Sequence, residues 1–273
     1  MRVLLTNDDG MAAEGIQALR AALLAVPGID LLTIAPDGNR SAIGRGITTR
    51  RPQLVERVDF ADGTHGFQTD GTPVDCVRLA GLGLVDDWTP DLVVAGINHG
   101  ANLGDDVSYS GTVAAAMEGI ILGLPAVAVS QQSRRGDFDM RAGEGFDFDV
   151  PARFAARLVE ELEEVPLPAG TLLNVNCPAG EPSGVEVCRL GRRYYHDTLR
   201  LDEDLGDGRR RFWIHGDEPT YDADDVGTDL LAVAAGRIAV TPVHMDFTFH
   251  DGLGPLSASD LDRMLAPAAS EVD

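Results

Sequence analysis

The sequence predicts a doubly wound α/β fold, a Rossmann-like core with a mainly parallel sheet, followed by a β-rich C-terminal extension. Three observations carry this. The chain opens with a strand–helix–strand unit, the same alternation returns between residues 91 and 175, and the text after about residue 185 turns β-rich and loop-rich. Alternating strands and helices imply right-handed crossovers and a parallel sheet.

Val3-Leu4-Leu5 is a short apolar run bounded by polar residues, which reads as a buried parallel strand. Ile16, Leu19 and Leu23 then recur at helical spacing, and residues 31–35 form a second strand stopped by Pro36-Asp37-Gly38. Residues 43–75 look β-rich and loop-rich. A strong strand follows at 91–97, then an Ala-rich helix at 112–122 closed by Gly123 and Pro125. Residues 126–130 read as a strand, 151–164 as an amphipathic helix begun by Pro151, and 172–175 as a strand. In the extension, 209–214 reads as one arm of a hairpin after the turn-like Gly206-Asp207-Gly208, and 257–265 as a short terminal helix. The expected division is a catalytic α/β core over 1–180 and a β-rich extension with the C-terminal segment over 181–273, not an independent domain.

Composition narrows the function. The 273 residues are 44% hydrophobic, enough for a large core. No apolar run approaches membrane-spanning length and no signal-type segment opens the chain, so a soluble, cytoplasmic protein with no membrane partner is expected. The three cysteines, Cys76, Cys177 and Cys188, are widely spaced and suggest neither a zinc site nor a disulfide framework. Net charge is −22, and all 22 basic residues are arginine. Such a surface repels a nucleic-acid duplex. It fits a protein kept soluble in concentrated salt, although a GC-rich genome also favours arginine over lysine. Without lysine, neither a P-loop nor a protein-kinase mechanism is available.

In a doubly wound sheet, ligands bind at the carboxyl ends of the strands. The first strand ends in Asn7-Asp8-Asp9-Gly10. Adjacent carboxylates there repel each other unless a cation neutralises them, and hard oxygen donors suit Mg²⁺, Mn²⁺ or Co²⁺. The competing reading is that Asp8 or Asp9 only caps the next helix. A dinucleotide site would need G-x-G-x-x-G at this turn, which is absent. The second strand end delivers Arg40 and Ser41, a guanidinium for phosphate and a hydroxyl for the metal shell. The strand at 91–97 leads into Asn98, whose amide oxygen can bind a cation, and His99. Ser110-Gly111-Thr112 opens the Ala-rich helix, where free amides favour an anion; plain N-capping by Ser110 or Thr112 is compatible with this. Together these make a metal site beside a phosphate cradle.

At this point the residues match a known family. The chain resembles the SurE survival-protein family, 5′/3′-nucleotidases acting on nucleoside monophosphates. The matching text is Thr6-Asn7-Asp8-Asp9-Gly10, residues 35–41, Gly71-Thr72-Pro73-Val74-Asp75-Cys76, 91–104, 109–116, Leu173-Asn174-Val175-Asn176 with Pro178, 225–229, and Thr241-Pro242 with Asp246 and Thr248. The resemblance implies one divalent metal held by Asp8, Asp9, Ser41 and Asn98, and a phosphate pocket at Ser110, Gly111 and Thr112 near Asn102. It also implies a cytoplasmic homodimer or homotetramer paired through C-terminal extensions, and in some members cleavage of short polyphosphate. Ala42 departs from the glycine usual after that serine.

The expected chemistry is metal-dependent hydrolysis of a phosphomonoester, with Asp8 and Asp9 as catalytic candidates. His99 is a weaker candidate proton donor, and His244 is weaker still. A haloacid-dehalogenase-like phosphatase would want Asp-x-Asp at the first strand and a downstream Lys or Arg. A receiver-type switch would want a strand-end lysine and a chain half this length.

Overall fold

Five apolar runs become the centre of one sheet. The structure, a computed structural model, describes residues 1–134, 145–165, 167–259 and 261–265. In chain order the first half comprises β1 (Arg2–Thr6), α1 (Glu14–Leu24), β2 (Asp30–Pro36), β3 (Val55–Asp59), β4 (His65–Thr69), α2 (Pro73–Gly81), β5 (Leu92–His99) and α3 (Gly111–Ile121). The rest comprises β6 (Ala126–Gln131), α4 (Asp149–Glu160), β7 (Thr171–Cys177), β8 (Val185–Val187), β9 (Arg193–Gly206), β10 (Arg209–Tyr221), α5 (Asp229–Ala234), β11 (Ile238–His244) and α6 (His250–Ser257).

Among the described residues, nine strands form a sheet in the order β3-β4-β2-β1-β5-β6-β7-β11-β8. Pairing is parallel except for β3 with β4 and β11 with β7. β8 and β11 lie past residue 180 yet complete this sheet, whereas β9 and β10 pair only with each other, antiparallel. Among the described residues no helix is long and apolar enough to cross a membrane.

The period-two alternation of the strands feeds two cores. Val3, Leu5 and Val94 face α1 and α4, meeting Ile16, Leu19, Ala155 and Val159. Leu4, Val93 and Ala95 face α2 and α3, meeting Val77, Val113 and Ala116. The helices that follow β1 and β5 thus lie on opposite faces, and the crevice between those two strand ends is the switch point where such sheets bind ligands.

Several boundaries differ from the sequence reading. The 43–75 stretch ends in a helix, α2, whose start is a capping box: Thr72 accepts from the Asp75 N–H, and the Asp75 carboxylate accepts from the Thr72 N–H. The predicted 151–164 helix begins at Asp149, stops at Glu160 and continues as a 3₁₀ turn, Leu162–Glu164. The terminal helix expected at 257–265 is instead α6, His250–Ser257, with a separate 3₁₀ turn at Asp262–Leu265; residue 260 lies outside the described residues. Pro255 sits inside α6, where it has no N–H to give the Asp251 carbonyl. The hairpin arm expected at 209–214 extends to Tyr221.

Leu4 is fully buried in the core facing α2 and α3. Leu4→Ala is expected to lower the unfolding free energy by about 2–5 kcal/mol in a denaturant titration, because transfer and cavity costs add.

Candidate functional site

Asp8 and Asp9 follow β1 directly and stand at the switch point. The turn beyond them is held by Asn7, whose side-chain amide bonds Gly10 in both directions, at 3.0 and 3.2 Å. Gly10 has φ +105°, and a Cβ there would come within 3.0 Å of the Gly38 backbone. The helix-cap alternative fails: the N-cap of α1 is Ala13, with no side-chain capping bond.

Asp8 is 2% exposed. Its Oδ1 accepts from the Thr112 hydroxyl at 2.5 Å, and the Thr112 backbone N–H adds to the stabilisation. The start of α3 can come this close because residue 111 is glycine: a Cβ there would lie 2.7 Å from Asp8 Cβ and Oδ2. Asp9 Oδ2 accepts from the His99 N–H at 3.2 Å, which ties the pair to the end of β5. Asp9 Oδ1 receives a long contact, 3.5 Å, from the Asn39 amide.

Burial first, and the charge of Asp9 second, push the Asp8 carboxyl well above its usual range; the Thr112 hydroxyl offsets part of that. Burial raises Asp9 as well. Asp8 is buried and Asp9 half-buried, so two carboxylates are adjacent with too little compensation, a lack that a divalent cation could make good. Among the described residues no three His, Cys, Asp or Glu side chains converge on one point. Two carboxylates with a hydroxyl and an amide oxygen beside them would suit Mg²⁺ or Mn²⁺.

The loop after β2 is fastened to this centre. The Arg40 N–H donates to the Asp8 carbonyl at 2.6 Å, and the Ser41 N–H donates to Asn39 Oδ1 at 2.8 Å. Ser41 is thus one residue from a direct backbone contact with Asp8. The Arg40 guanidinium folds back on its own loop, 2.6 Å from Asp37 Oδ1. Further along, the Gly44 N–H bonds the Tyr109 carbonyl at 3.0 Å, and Arg45 pairs with Glu118, a buried α3 carboxylate shared with Arg78 of α2.

Asn98 lies at the end of β5, where the ladder shifts register between Ala95 and Asn98. Its side-chain nitrogen donates to the Gly100 carbonyl at 2.8 Å, so the amide oxygen is the atom it could offer a cation. Ser110 caps α3, its hydroxyl accepting from the Val113 N–H at 3.1 Å. The Gly111 and Thr112 amides sit ahead of the intrahelical hydrogen bonds.

Asn102 is buried in a polar knot. Its N–H donates to Asn176 Oδ1, its amide nitrogen to Ser130 Oγ, and its carbonyl accepts from both Asn174 and Asn176. The roles of Ser130 and of Asp229 have no local signal in the sequence. Asp229 is fully buried and accepts from the N–H groups of Gly104, Gly191 and Leu230, which ties the 100–104 loop to the extension.

The two histidines differ. His99 Nε2 accepts from the Gly15 N–H at 3.3 Å, its ring stacks on Phe148, and burial lowers its pKa. His244 pairs in register with Thr171 at the opposite edge of the sheet, far from the switch point.

The sequence profile described as Survival protein SurE matches residues 3–197. The 5′-nucleotidase SurE of Rubrobacter xylanophilus is 47% identical over 268 residues, covering 97% of this chain and 99% of the relative. That of Pelotomaculum thermopropionicum is 46% identical over 252 residues, covering 91% of each. The crystal structure of SurE protein from Aquifex aeolicus matches with a TM-score of 0.77 at 36% identity, covering 94% of this chain and 98% of that one.

The raised carboxyl pKa values carry a pH prediction. In cation-free protein the folded state holds a proton on this pair more tightly than the unfolded chain does. Stability therefore falls as pH rises from the ordinary carboxylate value of about 4 through the raised values. With a chelator present, the wild type is expected to lose more thermal stability than Asp8→Asn between about pH 5 and pH 7, and Mn²⁺ to reverse that loss.

Proposed function

The chain belongs to the SurE survival-protein family, and we propose on that footing that it is a metal-dependent 5′-nucleotidase, hydrolysing nucleoside monophosphates to nucleoside and phosphate. The observation that carries the reading is the buried Asp8–Asp9 pair set against the N-terminus of α3 at the sheet's switch point. Short polyphosphate and nucleoside 3′-monophosphates offer the same terminal phosphoryl group and are secondary substrates.

In this reading Asp8, Asp9, Ser41 and Asn98 hold one divalent cation, Mg²⁺, Mn²⁺ or Co²⁺. When bound, the cation polarises a phosphoryl oxygen and neutralises the charge of the pair. The α3 start binds the phosphate: the Gly111 amide and the Ser110 hydroxyl proton face charge that builds on the equatorial oxygens. Asn102 shapes the adjoining loop. Arg40, now paired with Asp37, reaches phosphate only by exchanging that partner. A carboxylate of the Asp8–Asp9 pair orients the attacking water and takes its proton. The new bond joins the water oxygen to phosphorus, the bond from phosphorus to the ester oxygen breaks, and the leaving alkoxide is protonated from solvent.

We propose a homodimer or homotetramer joined through the β9–β10 ribbon. A lone two-stranded ribbon is marginally stable in water, and this one exposes Leu199, Phe212, Trp213 and Ile214. A second copy covers those side chains. The charge of −22 further supports function in concentrated salt and in the cytoplasm, where the cysteines stay reduced.

Asp8→Asn and Asp9→Asn are each expected to cut phosphate release from AMP with Mn²⁺ by about a hundredfold or more. Activity retained by both would remove the carboxylate pair from the mechanism. Changing Trp213 and Ile214 together to Asp is expected to lower the sedimentation mass to that of one chain; an unchanged mass would remove the ribbon from the interface.

A further inference from the structure

The segment that leads into α3 is a 3₁₀ turn, Gly104–Ser108, and one carboxylate organises it. The Asp106 backbone carbonyl accepts from the N–H groups of Tyr109 and Ser110, at 2.9 and 3.1 Å. Those bonds set the residue that caps α3. The Asp106 side chain reaches in the other direction, to the base of the ribbon. Its Oδ2 lies 2.7 Å from Arg193 Nε, and its Oδ1 accepts from the Tyr195 hydroxyl at 2.7 Å.

The contact is broader than one residue. The Arg193 N–H donates to Asp105 Oδ2 at 2.8 Å. The Tyr109 and Tyr195 rings meet edge to face at 6.3 Å. Asp229 receives both the Gly104 and Gly191 N–H groups. A Cβ on Gly104 would come within 2.7 Å of the Gly191 carbonyl, so turn and extension touch backbone to backbone. The Arg193 side chain is 3% exposed; its guanidinium pairs with Asp106 and its charge also acts on Asp229, while Asp105 is held by the Arg193 backbone N–H.

We propose that Asp106 is a positioning residue which clamps the base of the β9–β10 ribbon to the turn before α3, and thereby sets the anion-binding geometry of the Ser110–Thr112 helix start. The inference rests on the proposed phosphate-binding role of that helix start. It gives the ribbon a second task besides pairing with another copy. Arg193 also acts electrostatically: it neutralises Asp106, which would otherwise repel a phosphate arriving at Ser110. Asp8 and Asp9 follow β1, and Asp9 is tied to the end of β5 through the His99 N–H, so loosening the clamp weakens phosphate binding more than it weakens cation binding.

The test compares wild type, Asp106→Asn and Tyr195→Phe in three measurements: KM for AMP, inorganic-phosphate affinity by calorimetry, and Mn²⁺ affinity without phosphate. Asp106→Asn is expected to raise KM and weaken phosphate by about tenfold, the scale of one lost charged hydrogen bond, with a clearly smaller change in Mn²⁺ affinity. Tyr195→Phe removes a single hydroxyl from a partly exposed ring, so its folding is secure; a shift of about twofold to threefold in the same direction is expected. Wild-type phosphate affinity in both variants, or an equal loss of Mn²⁺ and phosphate affinity, overturns the clamp. A wild type that neither hydrolyses AMP nor binds phosphate overturns the proposed function itself and the clamp with it.

Discussion

Asp8 is a carboxylate taken almost completely out of water, with a second carboxylate as its chain neighbour and the start of a helix pressed against it. Burying one charge without full compensation costs several kcal/mol, and burying two side by side costs more. The protein reduces that cost locally. The Thr112 hydroxyl and amide bind one carboxylate and the His99 amide binds the other, while the positive end of α3 lies against Asp8. In the proposed function, a cation meets what remains uncompensated, and the helix start that steadies Asp8 also takes the phosphate.

The rest of the fold keeps that point rigid. β1 and β5 are parallel neighbours buried on both faces, and their ends cannot move without disturbing two cores. Gly111 permits the close approach of α3, and Gly15 permits that of α1, where a Cβ would lie 2.1 Å from the Ile97 carbonyl. Around the rim, buried polar groups tie loops to strands. Asn174 and Asn176 of β7 hold Asn102, Asp229 holds Gly104, and Glu118 holds Arg45. Buried polar networks of this kind specify one arrangement where apolar packing would tolerate several.

The core strands were readable because each is a compact apolar run between turn residues, and parallel burial on both faces requires that pattern. The carboxylate pair, Ser41 and Asn98 stand out as candidates in the sequence because strand ends are where such sheets bind ligands. α2 escaped because it follows a β-rich stretch, although Thr72-Pro73-Val74-Asp75 carries its capping box in plain sight. α6 was displaced toward the terminus because Gly252, Gly254 and Pro255 read as helix breakers. The ribbon was half seen: β9 is exposed along nearly its whole length and has no buried face to impose an alternation. The supports from Asn176 and Asp229 join residues 74 and 125 positions apart, a pairing that no local pattern announces.

The central claim is that the Asp8–Asp9 pair binds one divalent cation within reach of a phosphate on α3. Mn²⁺ binding followed by electron paramagnetic resonance tests it without relying on turnover. One Mn²⁺ per chain in the wild type, a spectrum altered by inorganic phosphate, and loss of that ion in Asp9→Asn are the predicted results. Mn²⁺ bound equally well by wild type, Asp8→Asn and Asp9→Asn, with no response to phosphate, would contradict the account.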